Sequence, residues 1–172
     1  MSAVLVIEQL LNGLQLGVML FLMSAGLTLI FGVMGLINLA HGSLYMVGAF
    51  AAAAVAGATG SFLLGLAAAL AAAAAAGALV EVTVIRRLYD RDHLDQVLAT
   101  FALILVFSEG TRWLFGSFPL FLDIPDALRG PASLPFGIAY PRYRLAIILA
   151  GLAVAAGLFL LIAKTRIGMR SV

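Results

Sequence analysis

Charged side chains are absent from a long stretch near the start of the chain, where apolar residues follow one another almost without interruption. Residues 9–80 contain no Asp, Glu, Lys or Arg, and His41 is the one side chain there that titrates near neutral pH. A helix rises about 1.5 Å per residue and needs about 20 apolar residues to cross a bilayer core of about 30 Å. The stretch is therefore long enough for three membrane-spanning helices.

Two further apolar segments follow, and each is bounded by polar residues. They cover approximately residues 96–116 and 145–163, which is close to the length that one crossing requires. The sequence therefore predicts an all-α fold, a polytopic transmembrane helical bundle of about five spans, as a single domain over residues 1–172. Composition agrees with this class, because the mean hydropathy is +1.16 and only 10% of residues are charged, against about 25% in soluble domains.

The rest of the composition excludes several kinds of chemistry. The chain has no cysteine, so it carries neither a disulfide framework nor a thiolate. Its net charge is only +2 and no basic run carries interleaved aromatic residues, so we expect no nucleic-acid partner. It has no GxSxG, HExxH or P-loop pattern, and no His, Cys or carboxylate group at metal-ligand spacing. We therefore expect no enzyme activity, no cofactor and no metal site.

Basic residues are distributed unevenly over the polar segments between the predicted spans. With five crossings, residues 86–95 and the C-terminal end face one side of the membrane, and the loop 117–144 faces the other. The first side carries Arg86, Arg87, Arg91, Lys164, Arg166 and Arg170, and the second carries Arg129, Arg142 and Arg144. Because basic residues favour the cytoplasmic side, we expect the N-terminus outside and the C-terminus in the cytoplasm. The outer loop holds all five prolines and is either ordered, with a short hairpin, or a plain connector.

Polar residues within the apolar run fall at helical spacing. Two sets each share one helix face: Glu8, Asn12 and Gln15, and then Asn38, His41 and Tyr45. Their spacings of three, four and seven residues place each set on a single side of a helix. Polar groups in lipid need partners, so these faces should point into the bundle, either as hydrogen bonds between helices or as a functional site.

The second face lies in a glycine-rich segment, which favours the functional interpretation. The surrounding glycines are Gly32, Gly35, Gly42 and Gly48. Such a density weakens a helix and frees backbone groups, as in the interrupted helices that form transport sites near the membrane midplane. We expect one Gly-rich interrupted or re-entrant helix here, and we assign the substrate pathway to Asn38, His41, Gly42, Tyr45, Asn12 and Gln15. Taken alone, His41 is more often a structural hydrogen-bonding group than a proton relay.

Two opposite charges occur within the fourth predicted span. Glu109 and Arg112 are separated by three residues, so they are expected to form a structural ion pair that makes both charges less unfavourable in lipid. Their position along the span places the pair towards the outer face. The alternative is that they line the entry for a substrate.

The segment Gly26–Phe50, GLTLIFGVMGLINLAHGSLYMVGAF, resembles the early signature of permeases from high-affinity branched-chain amino-acid ABC importers. The positions that match this signature are Gly26, Gly32, Gly35, Asn38, His41, Gly42, Tyr45, Met46 and Gly48. The end of the chain, TRIGMR, resembles the lead-in to the cytoplasmic loop that docks on the ATPase in this family. The matching positions there are Thr165, Arg166, Gly168 and Arg170.

The resemblance implies a non-catalytic permease subunit that carries branched-chain or related amino acids by alternating access. It implies the inner membrane of a bacterium or archaeon as the location. The implied protein partners are a second homologous permease, two cytoplasmic ATPase subunits that supply the energy, and an extracytoplasmic solute-binding protein. Family permeases are longer, so the chain resembles the N-terminal portion of one and is expected to be incomplete at its C-terminus.

Two other functions remain open from the sequence. Importers of urea or short amides have permeases that look alike, and the residues above do not separate the two substrate classes. A helical module or truncated fragment that only assembles with other membrane proteins would also explain the polar faces, since polar side chains hold helices together in lipid.

Overall fold

Five long helices make up most of the chain in the computed structural model, which describes residues 3–164. They are α1 (Ala3–Met34), α2 (His41–Thr59), α3 (Phe62–Thr83), α4 (His93–Phe115) and α5 (Arg142–Lys164). Each is long and apolar enough to cross a membrane, which confirms the predicted all-α bundle of five spans. The chain is a multi-pass membrane protein. Helices α4 and α5 begin about one turn before the apolar segments that predicted them, because a helix continues past the hydrocarbon core into the polar interface.

The described residues fall into two compact units. Residues 3–29 and 124–164 form the terminal unit, and residues 30–123 form the central unit. The expectation of a single domain over residues 1–172 stays a prediction.

A two-residue turn joins α2 to α3 in the central unit. Helix α2 ends at Gly60, whose φ of 67° lies in the left-handed region that glycine adopts without strain, and its N–H donates to the Ala56 carbonyl. Helix α3 begins after Ser61, whose side chain accepts a hydrogen bond from the Leu64 N–H. The two helices therefore form an antiparallel hairpin.

Small residues let α2 and α3 approach closely. A Cβ atom added at Gly65 would lie 2.8 Å from the Ala52 carbonyl oxygen, and one added at Gly48 would lie 3.3 Å from that of Ala69. Only glycine fits such an approach at position 65. The alanine-rich stretch of α3 thus serves as a packing surface for α2, as helix contacts in membranes favour small side chains.

The helical path is broken between α1 and α2, at residues 35–40. Gly35 has a φ of 64°, and the chain then runs without helical structure as far as the turn at Leu39 and Ala40. Leu36 is only 1% exposed and packs with Val80 and Ile85. This six-residue segment, called the break below, contains Asn38 and lies where an interrupted or re-entrant helix was expected.

The depth of the break differs from the expectation of a site near the membrane midplane. Val80 lies in the last turn of α3, and Ile85 follows in the short 3₁₀ turn Ile85–Arg87. Because Leu36 packs on these two residues, the break lies level with the end of α3 and the start of the 84–92 loop. It joins two full-length helices and does not interrupt a single span.

The terminal unit contains a small β-hairpin before α5. Strands β1 (Pro131–Leu134) and β2 (Ile138–Pro141) pair antiparallel, with Pro131 opposite Pro141 and Leu134 opposite Ile138. Gly137, with a φ of 74°, lies in the turn. Ile138 and Tyr140 are both buried, so β2 presents one face inward, as the period of two along a strand requires. The hairpin expected in the proline-rich loop is therefore present.

Candidate functional site

Asn38 is the side chain that shapes the break. It is buried, and its Oδ1 accepts a hydrogen bond of 3.0 Å from the Ala40 N–H. Its backbone carbonyl also accepts from the His41 N–H at 3.3 Å, at the point where α2 begins. Asparagine favours such turns because its short side chain bonds backbone two residues ahead. Asn38 therefore supplies hydrogen bonds to backbone groups of the break and of the start of α2.

A buried threonine on α4 faces the same segment. Thr100 is 0% exposed, and its Oγ1 lies 2.8 Å from the Gln96 carbonyl oxygen and 3.5 Å from that of Ile37 in the break. One turn earlier, the Gln96 Nε2 donates to the carbonyls of Leu88 and Arg91, at 3.1 Å each. Gln96 thus fixes the 84–92 loop, while Thr100 contacts the break.

The sequence reasoning missed Gln96 and Thr100. They are four residues apart on one helix face, the same spacing that identified the other polar faces. Gln96 lies at the first residue of the predicted span, where a polar side chain marks the boundary of the span as readily as a site.

The other residues predicted for the pathway in the central unit have different surroundings. His41 is half-buried, and its Nδ1 has no hydrogen-bond partner among the described residues. Gly42 is exposed, with open space where a Cβ would lie. Tyr45 is 59% exposed, one turn along α2 from His41. The break thus brings Asn38 and His41 together through the backbone and leaves Tyr45 on the surface of the unit.

A second polar site, which we call the Arg144 cluster, lies in the terminal unit and consists of Asn12, Tyr140, Tyr143 and Arg144. Asn12 Oδ1 accepts hydrogen bonds from the Tyr140 hydroxyl at 3.0 Å and from Arg144 Nη1 at 2.6 Å. Arg144 Nε donates to the Tyr143 hydroxyl at 3.0 Å. The cluster therefore links α1, β2 and the first turn of α5. Gln15, predicted with Asn12, is half-buried on the next turn of α1.

The Glu109 and Arg112 side chains lie next to each other on α4. Arg112 Nη1 is 3.2 Å from Glu109 Oε1, and both side chains are exposed on the surface of the chain. In lipid, such an exposed pair is far less unfavourable than two separate charges. Whether the pair is structural or lines an entry stays a prediction.

A tyrosine in the 84–92 loop forms a hydrogen bond with a side chain in the last turn of α3. The Tyr89 hydroxyl donates to Glu81 Oε1 at 2.7 Å. This hydrogen bond, more than burial or the Glu81 charge, raises the pKa of Tyr89 above its usual 10.0, because ionisation would remove the proton that the hydroxyl donates to the carboxylate. The contact ties the loop to the helix.

Two further predictions concern metal binding and the segment that resembles an ATPase-docking lead-in. Residues 3–164 hold no group of three or more His, Asp or Glu side chains placed to bind a metal ion. The residues that resemble an ATPase-docking lead-in, Thr165, Arg166, Gly168 and Arg170, lie outside the described part of the chain.

Comparison with known proteins gives one family and several relatives. The family model described as "Branched-chain amino acid transport system / permease component" matches residues 9–172. The high-affinity branched-chain amino acid transport system permease protein BraD of Pseudomonas aeruginosa is 44% identical over 46 residues, which are 27% of this chain and 15% of BraD. The permease protein LivH of the same kind of system, from Escherichia coli K12 and Salmonella typhimurium, is 41% identical over 44 residues, 26% of this chain and 14% of LivH. These matches thus span about a seventh of each relative, and no solved structure matches the chain.

Proposed function

Because the chain belongs to the family of permease components of branched-chain amino acid transport systems, we propose that it is a membrane-spanning subunit of an ABC importer for branched-chain or related amino acids. The observation that carries the proposal is the family match, which extends over nearly the whole chain. The five helices of membrane-spanning length support it. BraD and LivH, the relatives with local similarity, are themselves named as permease proteins of such systems.

In this proposal the chain provides part of the translocation pathway and takes no part in chemistry. Transport proceeds by alternating access, driven by ATP that separate subunits hydrolyse. The break contributes backbone groups and the start of α2, whose positive dipole end attracts the carboxylate of a zwitterion. Asn38, His41, Gly42 and Tyr45 line this part of the pathway, and Asn12 and Gln15 belong to it in the terminal unit.

The proposed orientation determines on which side of the membrane the break lies. With the N-terminus outside, the 84–92 loop lies in the cytoplasm of a bacterial or archaeal cell, as its three arginines favour. The break packs beside that loop, so it would lie at the cytoplasmic end of the pathway. This is the end at which ATP-driven movement of partner subunits would act first.

The proposed partners follow from the importer class. They are a second homologous permease, two cytoplasmic ATPase subunits and an extracytoplasmic solute-binding protein. The segment from Thr165 to Arg170 leads towards the ATPase contact in this proposal.

Transport by the reconstituted complex tests the proposed function. The permease that contains this chain is assembled with its partners in proteoliposomes, and uptake of labelled leucine, urea and acetamide is measured with and without ATP. We expect ATP-dependent leucine uptake, and no uptake with an ATPase subunit that cannot hydrolyse ATP. Uptake of urea without leucine would replace the proposal by the short-amide importer, and uptake of none would favour an assembly module.

A further inference from the structure

Arg144 makes no ion pair with the acidic residues described in its own unit, Glu8 and Asp126. Asp126 is paired with Arg129. The groups that contact Arg144 are the amide oxygen of Asn12 and the hydroxyls of Tyr143 and Tyr140, and none of them is a carboxylate. Its segment, Arg142–Leu160, is apolar enough to span a membrane, where arginine is normally paired.

The contacts hold the guanidinium in one position and leave part of it free to bind. A guanidinium has five N–H donors, and Asn12 and Tyr143 accept from two of them. Asn12 is itself fixed by Tyr140, which is only 2% exposed. A planar guanidinium with free donors binds a carboxylate through two parallel hydrogen bonds. The first turn of α5 has no acidic residue that would compete for such a ligand.

A cavity of about 320 Å³ adjoins the cluster at Tyr143. Its apolar walls come from Ile124, Leu128, Pro131, Ala139 and Pro141. Arg129 also lines it, but its charge is already paired with Asp126 at 2.9 Å. The volume is at the small end of the range for ligand pockets, about 300–1,000 Å³, and the apolar lining suits an aliphatic side chain.

We propose that the Arg144 cluster binds the α-carboxylate of an aliphatic amino acid, with the aliphatic side chain in the cavity beside Tyr143. This inference rests on the proposed function and adds to it a binding site in the terminal unit, at the outer end of α5 in the proposed orientation. The cluster selects the charged end of the solute, and the cavity selects its apolar end.

Direct binding of two ligands to the purified permease that contains this chain tests the site. Leucine and leucinamide share a side chain, but leucinamide lacks the carboxylate. We expect the wild type to prefer leucine, and Arg144→Gln to weaken leucine binding by about tenfold or more while leaving leucinamide binding unchanged. Arg142→Gln is the matched control, because Arg142 is exposed on the same helical turn, and it should change leucine binding by less than about twofold.

A second variant keeps the test decisive if Arg144→Gln does not fold, as judged by thermal unfolding. Tyr143→Phe keeps the ring beside the cavity and removes only the hydroxyl that accepts from Arg144 Nε. We expect leucine binding to weaken by about three- to tenfold in this variant, since the guanidinium loses one of its two supports. Unchanged leucine binding in Tyr143→Phe and in any folded Arg144→Gln would overturn the proposal.

Further outcomes separate this site from the proposed function. If the assembled complex imports leucine but the purified permease shows no preference for leucine over leucinamide, the site is wrong and the proposed function stands. If Arg144→Gln leaves leucine binding intact and instead weakens association with the solute-binding protein, the cluster is a docking surface and the proposal fails. If the complex does not import leucine, the proposed function fails whatever the purified permease binds.

Discussion

The break and the Arg144 cluster both place polar groups among apolar helices, but they are held together in opposite ways. In the break, the Asn38 side chain bonds a backbone group two residues away, and the segment is anchored mainly by the packing of Leu36. In the Arg144 cluster, Asn12 bonds groups 128 and 132 residues away in sequence, one of them charged. A hydrogen bond between residues close in sequence shapes a turn. A charged hydrogen bond between residues far apart in sequence joins separate elements.

The largest expected effect on stability is at Leu36. Leu36→Ala removes a side chain that packs with Val80 and Ile85, and we expect it to lower the free energy of unfolding by about 2–5 kcal/mol. Leu39→Ala, in the same segment but on an exposed residue, should have little effect. Thermal or denaturant unfolding in detergent measures both. Equal losses in the two variants would show that packing does not anchor the break.

A pair of asparagine variants compares the two regions directly. Asn12→Leu removes two hydrogen bonds, one from the Arg144 guanidinium, and we expect a loss of about 1.5–3 kcal/mol. Asn38→Leu removes one neutral hydrogen bond, and we expect about 0.5–1.5 kcal/mol. Unfolding of the two proteins under one set of conditions gives the difference. A larger loss at Asn38 than at Asn12 would reverse the comparison.

How well the sequence predicts these two regions depends on how far apart in sequence the interacting residues are. The glycines around Asn38 are neighbours in sequence, so the break could be predicted from composition alone. Asn12 was recognised as a polar residue within a span, but its partners Tyr140 and Arg144 could not be, because nothing local to α1 indicates which distant loop meets it. The position of the break beside the end of α3 could not be predicted for the same reason, because it depends on the contact of Leu36 with Val80.

The next largest loss of stability is expected from a substitution where α2 and α3 pack closely. Gly65→Leu places bulk against the Ala52 carbonyl and the Ala56 side chain, and we expect a loss of about 1–3 kcal/mol. Gly57→Leu is the matched control, because a Cβ added at Gly57 on α2 has no described atom within 4 Å. Thermal unfolding of the two variants measures the difference in their stability. Equal stability of Gly65→Leu and the wild type would mean that the two helices do not pack as described.

The smallest effect is a pH dependence from Tyr89 in the 84–92 loop. Because its pKa in the folded protein is raised above 10.0, the hydrogen bond to Glu81 stabilises the fold fully below that pH. Its contribution disappears as the pH rises through the raised value. Stability of the wild type relative to Tyr89→Phe should therefore be constant near neutral pH and fall only in the alkaline range. A difference that changes between pH values of about 5 and 8 would point to another group.

The start of α2, next to the break, is the segment that we propose lies on the pathway of an amino-acid importer. Gly42 allows a direct test, since a Cβ added there has no described atom within 4 Å, and we expect the Gly42→Leu protein to fold and assemble. In the reconstituted complex, matched for assembly, we expect Gly42→Leu to abolish ATP-dependent leucine uptake, and Gly57→Leu, equally unobstructed but farther along α2, to retain it. Normal uptake by assembled Gly42→Leu would contradict the account and remove this segment from the pathway.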